Sequence, residues 1–392
     1  MEKPAGPSTT GSHHTNPQTL QPSFQGEAGE YFRIWIVNML LSILTLGIYS
    51  AWATVRNRRY LYGSTELDGD YFDFHGKPLA ILRGRIFAVI FFAAYAFGGD
   101  FHPVIPMVAF FILMALFPWI LVKAMRFRLS NTSWRNLRFG FGAATRQVYS
   151  ILIVPLIVTI LTYGLFLWVM LGAQQNPVEN MENMQLFFGS LLLVLLASLW
   201  IIPVFNYRVR NLVMNSIYYG DQPFQANIQS RVFFTTYLKM LGMAIVVGIA
   251  GMLFMGAVVA VAFRGAALQL DSSMMFVVAV TYIVMILFYL LPFAVWQVLI
   301  SNHVISTTRV RRVVFNMEMK VGAYWWLLVS NAFAAVLTIG LAIPWAKIRM
   351  IRYKLSCLEI TGDVNSFSGS KQIDPSATGD EIGDAFDIDF GF

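Results

Sequence analysis

Two arginines three residues apart, with a tyrosine directly after the second, make a clasp suited to phosphate: Arg56, Arg59 and Tyr60 form one such set. Arg349, Arg352 and Tyr353 form another, and each set follows a tryptophan, Trp52 or Trp345. Guanidinium groups grip phosphate in bidentate fashion, and indole and phenol rings favour the membrane interface. Two readings stay open, binding of anionic lipid headgroups or anchoring of the chain's topology. A second pair, Asn38 and Asn331, lies seven residues before Thr45 and Thr338, inside otherwise apolar arms. Buried amides there either satisfy backbone freed at the breaks Thr45 to Gly47 and Thr338 to Gly340 or touch a substrate.

These residues come in pairs because the chain states one stretch twice. Residues 31–76 shifted forward by 293 positions fall on residues 324–369, with 15 identities in 46 ungapped positions. That is an internal duplication. Each copy reads as an apolar helix, a Thr-[Leu/Ile]-Gly break, Trp-Ala, a basic turn and a short polar hairpin.

The class of the protein follows from composition. Hydrophobic residues make up 57% of 392 and charged ones 12%, against the roughly one quarter charged of a soluble domain. The expected fold is an all-α polytopic membrane protein with six transmembrane helices, at 86–97, 104–122, 148–171, 186–205, 238–263 and 274–299. Added to these are the two duplicated helical hairpins, re-entrant or transmembrane, and short cytoplasmic β-hairpins. Residues 1–29 are expected as a disordered cytoplasmic tail, 30–370 as the membrane domain, and 371–392 as a disordered acidic tail.

Basic residues set the orientation. Of 28 Lys and Arg, only Arg264 falls in the short connections 98–102, 172–185 and 264–273, so the other connections and both tails are assigned to the cytoplasm. Six crossings then leave no crossing for the duplicated arms, each of which must begin and end inside. A hairpin that turns back at Gly47 and Gly340 meets that requirement, since Gly closes a helix in the left-handed conformation; a tilted full span is the competing reading.

Weaker echoes of the unit follow other spans. Pro118, Pro203 and Pro344 precede Arg126, Asn211 and Arg352 by eight residues, and Ser130, Asn215 and Ser356 follow four later. Phe139 and Phe224 come nine residues after that, and Asn302, Ser306 and Phe315 repeat the later spacing. Turn signals such as Asp68-Gly69 between β-favouring residues predict hairpins after the spans, at 66–72, 217–224 and 359–367, able to pair into a small sheet.

Catalytic and metal chemistry find no footing in this pattern. No Asp, Glu, Lys, Arg or His stands near the middle of an expected span, which disfavours proton-coupled pumps. The intramembrane groups Thr159, Thr162, Ser190 and Ser198 read as packing groups. His75, His102 and His303 lack zinc spacing, Cys357 is the single cysteine, and no nucleotide loop or serine elbow occurs. An enzyme is therefore not expected, nor a cofactor, nor nucleic acid as a partner.

At Gly29 to Phe32, Val37-Asn38, Leu44 to Tyr49, Trp52-Ala53 and Arg59 to Tyr62 the sequence resembles the YjgN-like family of bacterial inner-membrane proteins, a domain of unknown function. The resemblance implies a multi-pass location in the bacterial cytoplasmic membrane and carries no activity, cofactor or catalytic residue. The functional expectation is a transporter or channel-like protein for a neutral, amphipathic or lipid-like substrate, with its two hairpins meeting near a central site. The alternative is a scaffold that binds membrane lipid or a cytoplasmic protein through its hairpins.

Overall fold

A computed structural model describes residues 19–102, 104–175, 181–263 and 272–364. Strands β1 (Thr19–Leu20) and β2 (Ser23–Phe24) lead into helices α1 (Ala28–Leu44) and α2 (Ser50–Gly63). Four units then follow one plan, a β-hairpin and a helical hairpin. They are β3 (Thr65–Leu67), β4 (Asp70–Phe74), α3 (Pro78–Phe101) and α4 (Val104–Ser130); β5 (Thr132–Trp134), β6 (Leu137–Phe141), α5 (Thr145–Gln175) and α6 (Met181–Ser216); β7 (Ile217–Tyr219), β8 (Gln222–Ala226), α7 (Ser230–Phe263) and α8 (Ser272–Ser306); β9 (Thr308–Val310), β10 (Val313–Met317), α9 (Val321–Leu337) and α10 (Ile343–Ser356). Strand β11 (Leu358–Thr361) ends the series.

One backbone hydrogen bond recurs five times at the foot of these units. Gln25, His75, Gly142, Asn227 and Glu318 donate their N–H to the carbonyls of Ser64, Asn131, Ser216, Thr307 and Cys357, at 2.8 to 3.1 Å. The first of the five belongs to the segment before α1. That segment therefore stands where the second strand of a fifth hairpin belongs, and β11 supplies the first strand.

The sheet confirms the closure. Its eleven strands run in the order β1-β11-β10-β9-β8-β7-β6-β5-β4-β3-β2, so the two end strands are β1 and β2, joined through Gln21 and Pro22. Thr19 and Leu20 pair with Thr361 and Ile360, while Ser23 and Phe24 pair with Glu66 and Thr65. Pro22 donates no backbone hydrogen bond and suits the seam between them. The hairpins thus pair into one sheet, as their turn signals suggested. Residues 19–27, expected in a disordered tail, instead complete it. The hairpin expected at 359–367 is corrected likewise: β11 pairs with β10 and with β1, and residues beyond 364 lie outside the described ones.

The interior of this collar is filled. Phe72, Phe139, Phe224 and Phe315 face Trp134, Tyr219, Val310 and Ile360 across neighbouring hairpins. Facing residues on antiparallel strands share one side of the sheet, where large apolar groups stabilise each other. Leu67, Trp134, Tyr219, Val313, Ile360 and Val364, drawn from all five hairpins, form one buried cluster there. At the rim Arg135 lies over the Trp134 ring, 4.5 Å from its centroid, and pairs with Asp68 and Asp70.

Above the collar the helices repeat the ring. Each packs on its sequence neighbours, and α10 packs back on α1; among the described residues the larger helix contacts join ring neighbours. Among the described residues six helices are long and apolar enough to cross a membrane, within Pro78–Phe101, Val104–Ser130, Thr145–Leu171, Met184–Ser216, Ser230–Ala257 and Phe288–Ser306. They correspond to the six expected spans, and their collar ends run past the expected limits. Gly248 and Gly251 admit Tyr289 and Met285 of α8 close to α7, as expected of small residues, whereas Gly242 and Gly256 face open space.

The two duplicated stretches form shorter helical hairpins, α1 with α2 and α9 with α10. Both begin and end at the collar. A helix of 17 residues, the length of α1 and of α9, reaches about 25 Å, short of about 30 Å of hydrocarbon.

Burial pushes the Tyr219 hydroxyl well above its ordinary value of 10, and it donates to the Trp134 carbonyl at 2.7 Å. A raised acid favours the protonated fold, so this contribution is whole below pH 10 and is lost as pH rises beyond it. Tyr219→Phe is expected to cost about 1 kcal/mol at neutral pH and to flatten the alkaline loss of stability, read by unfolding in mild detergent between pH 7 and 12.

Candidate functional site

The duplicated residues prove to be joints of the two short hairpins. At each tip the chain turns through two residues of positive φ, Leu46 and Gly47 in one copy and Ile339 and Gly340 in the other. Gly47 and Gly340 donate to the carbonyls of Ser42 and Ala335 at 2.7 Å, closing the first helix. The Thr45 and Thr338 hydroxyls donate backward to Leu41 and Ala334 at 2.7 Å and accept the N–H groups of Tyr49 and Ala342 at 2.9 Å, opening the second. Leu46 and Ile339, each 95% exposed, form the apolar tips.

The asparagines do not serve the turns, as had been expected of them; threonine does that. Asn38, buried in α1, donates to Asn57 Oδ1 of α2 at 2.9 Å, and its own Oδ1 is buried without a hydrogen-bond partner. Asn331 donates to the Ala346 carbonyl at 3.3 Å and accepts from Arg349, which also reaches Ser330 at 2.6 Å and lies over Trp345. In each copy the amide therefore ties one arm of the hairpin to the other. The two hairpins meet side by side through α1 and α10.

Two further members of the basic clusters, Arg59 and Arg352, hold the collar. Arg59 Nε donates to the Phe74 carbonyl at 3.1 Å, and Arg352 donates to the Gly26 carbonyl at 2.8 Å, across the seam. Asn302, one of the spaced echoes, exchanges two bonds with Met319, and Asn215 does the same with Ala226. Tyr60 and Tyr353 bond both backbone groups of Glu27 and Lys320, the residues that open α1 and α9. Trp52 packs beside the buried Ala51, Val55 and Phe74 and stacks on Tyr49, whereas Arg56 is exposed.

Space for a ligand lies elsewhere. A cavity of about 280 Å³ opens where α4, α5 and α6 meet the collar, with walls of Phe117, Met125, Phe141, Ile151, Phe205 and Val213 among others. Asn206 and Arg210, one turn apart on α6, are the polar residues in its lining. Arg210 also borders a small neighbouring pocket with Ser301, Met317 and Lys354. Neither Asn206 nor Arg210 stood out in the sequence, because the span there was expected to end at 205. Helix α6 runs on to Ser216 and carries both residues into the cavity wall. The four-residue spacing of Asn206 and Arg210 is the signal the sequence offers.

The intramembrane hydroxyls of Thr162, Ser190 and Ser198 bond carbonyls of their own helices, as packing groups do. His303 accepts the Gln229 N–H at 3.0 Å, and His75 contacts Ser133 and Asp73.

Residues 19–385 match the family described as Bacterial protein of unknown function (DUF898). The chain belongs to this family. The match starts at Thr19, the first residue of β1, in keeping with a segment that is integral to the ring. The chain is 25% identical over 359 residues to the Inner membrane protein YjgN of Salmonella typhimurium, covering 88% of this chain and 89% of that one. It is 26% identical over 202 residues to the Inner membrane protein YjgN of Escherichia coli K12, covering 50% and 48%. No solved structure matches. With relatives of that location and six membrane-length helices, the protein is a multi-pass protein of the bacterial inner membrane.

Removing the Arg352 bond opens the seam. Arg352→Met is expected to weaken the docking of residues 19–27 by about 1 to 2 kcal/mol and to raise proteolytic release of an N-terminal tag several-fold, with the six spans unaffected.

Proposed function

We propose that this inner-membrane protein binds an amphipathic, lipid-like molecule within its helical ring and passes it between membrane and collar. The observation that carries this reading is how little of the spans the protein covers itself. In five of the six, between 6% and 17% of the most apolar window is buried. Among the described residues the larger helix contacts join ring neighbours, so most of the apolar surface of these spans is left for lipid or an apolar ligand. An ion path along the axis is disfavoured by the filled collar at one end and by the absence of charged residues near the middle of the expected spans.

The short hairpins suit a re-entrant role here. Their apolar tips stop short of the far membrane surface, and the turn backbone is satisfied within the hairpin by threonine and by the first helix. The excess of basic residues at the collar ends of the helices favours a cytoplasmic collar. A scaffold that binds lipid or proteins is the second reading, favoured by the size of the collar. Catalysis has no support in the residues at the cavity.

Reconstitution decides between these readings. Purified protein in phospholipid vesicles is expected to speed transbilayer movement of a fluorescent short-chain lipid at least about tenfold over protein-free vesicles, a barrier change of about 1.4 kcal/mol. Leu121→Trp, which fills the cavity, is expected to remove most of that gain. Vesicles in which the native protein moves no lipid would leave the scaffold reading.

A further inference from the structure

We infer that the cavity between α4, α5 and α6 takes a single acyl chain whose head is an anion, with Arg210 holding the head. The inference rests on the lipid-binding reading above and adds the chemical class and the residue that selects it. The volume of about 280 Å³ lies just below the range of small-molecule pockets, roughly 300–1,000 Å³, and suits one slender chain. Rings and aliphatic groups from three helices and one strand make most of its wall, which fits a chain and not a sugar or a nucleotide.

Polarity is confined to one helix face. Asn206 donates one amide N–H to the Ile202 carbonyl, at 2.9 Å, and its second N–H is a donor that an anionic head can use. Arg210 brings a guanidinium with five N–H donors, enough to hold an anionic head alongside another partner. Lys354 shares the small pocket on the other side of Arg210, which adds positive charge at the same level. The six steps from Arg210 to Ser216 rise about 9 Å along the helix, so Arg210 sits just above the collar, where a head would meet the end of the apolar region.

A carboxylate on a free fatty acid and the phosphate of a phospholipid present the same chemistry to Arg210, and the probes separate them. Full-length protein in native-composition vesicles would be photolabelled with a diazirine fatty acid, its methyl ester, and a phosphatidylglycerol carrying the same diazirine chain. Adducts would be mapped by peptide mass spectrometry. The acid or the phosphatidylglycerol is expected to label the cavity residues at least about fivefold more than the ester, and whichever does so names the source. Arg210→Gln is expected to bring that probe down to the level of the ester, and Arg210→Lys to restore part of the difference, with the elution profile of both variants unchanged.

Equal cavity labelling by acid, phosphatidylglycerol and ester would overturn the anionic head and leave the apolar cavity standing. Absence of cavity adducts with every probe would overturn the lipid-binding reading as well.

Discussion

The structure depends on closing a ring whose last member is split between the two ends of the chain. Five equivalent backbone hydrogen bonds tie the collar to the helix ends, and one of them, Gln25 to Ser64, exists only because the segment before α1 folds into the seam. The seam pairs Thr19 with Thr361 and so joins residues more than 300 positions apart. Such a contact carries a large loop-closure cost before it returns anything, which favours its forming after the local hairpins. Phe72, Phe139, Phe224 and Phe315 offset that cost by filling the space the closed collar encloses, and Ile360 and Val364 close the same core from the C-terminal side.

The duplication was legible because its two copies flank the seam and carry the same joints. Thr45, Gly47 and Tyr60 do the work of Thr338, Gly340 and Tyr353 with nearly identical bond lengths, so identity was kept where geometry is narrow. The other three helical hairpins kept only the collar contacts. That is why they surfaced as spaced echoes, such as Asn302 and Ser306, without a continuous match. The fifth hairpin was hidden for another reason: β1 and β2 have two residues each, too short for a periodic signal, and their strand character comes from partners far along the chain.

Membrane residence and the candidate cavity are linked by the same geometry. Hairpins anchored at one end and packed mainly on neighbours leave long apolar faces uncovered, which lipid satisfies and water would not. The cavity forms where this open arrangement meets the filled collar, and Arg210 lies at that boundary. Its charge was read as part of a basic connection because hydropathy marks where a span stops and says little about where its helix stops. The Asn38 and Asn331 amides illustrate the complementary error. Sequence predicts their burial, but the partners they do have lie on the facing helix and not at the turn.

The most direct measurement of the closed ring is a disulfide across the seam, with Thr19→Cys and Thr361→Cys in a Cys357→Ser background, in intact inner-membrane vesicles. After mild oxidation and cleavage of the chain at a protease site placed between α7 and α8, the account predicts that the two fragments stay joined until reductant is added. Fragments that separate with or without oxidant would contradict it and leave the N-terminal segment outside the fold.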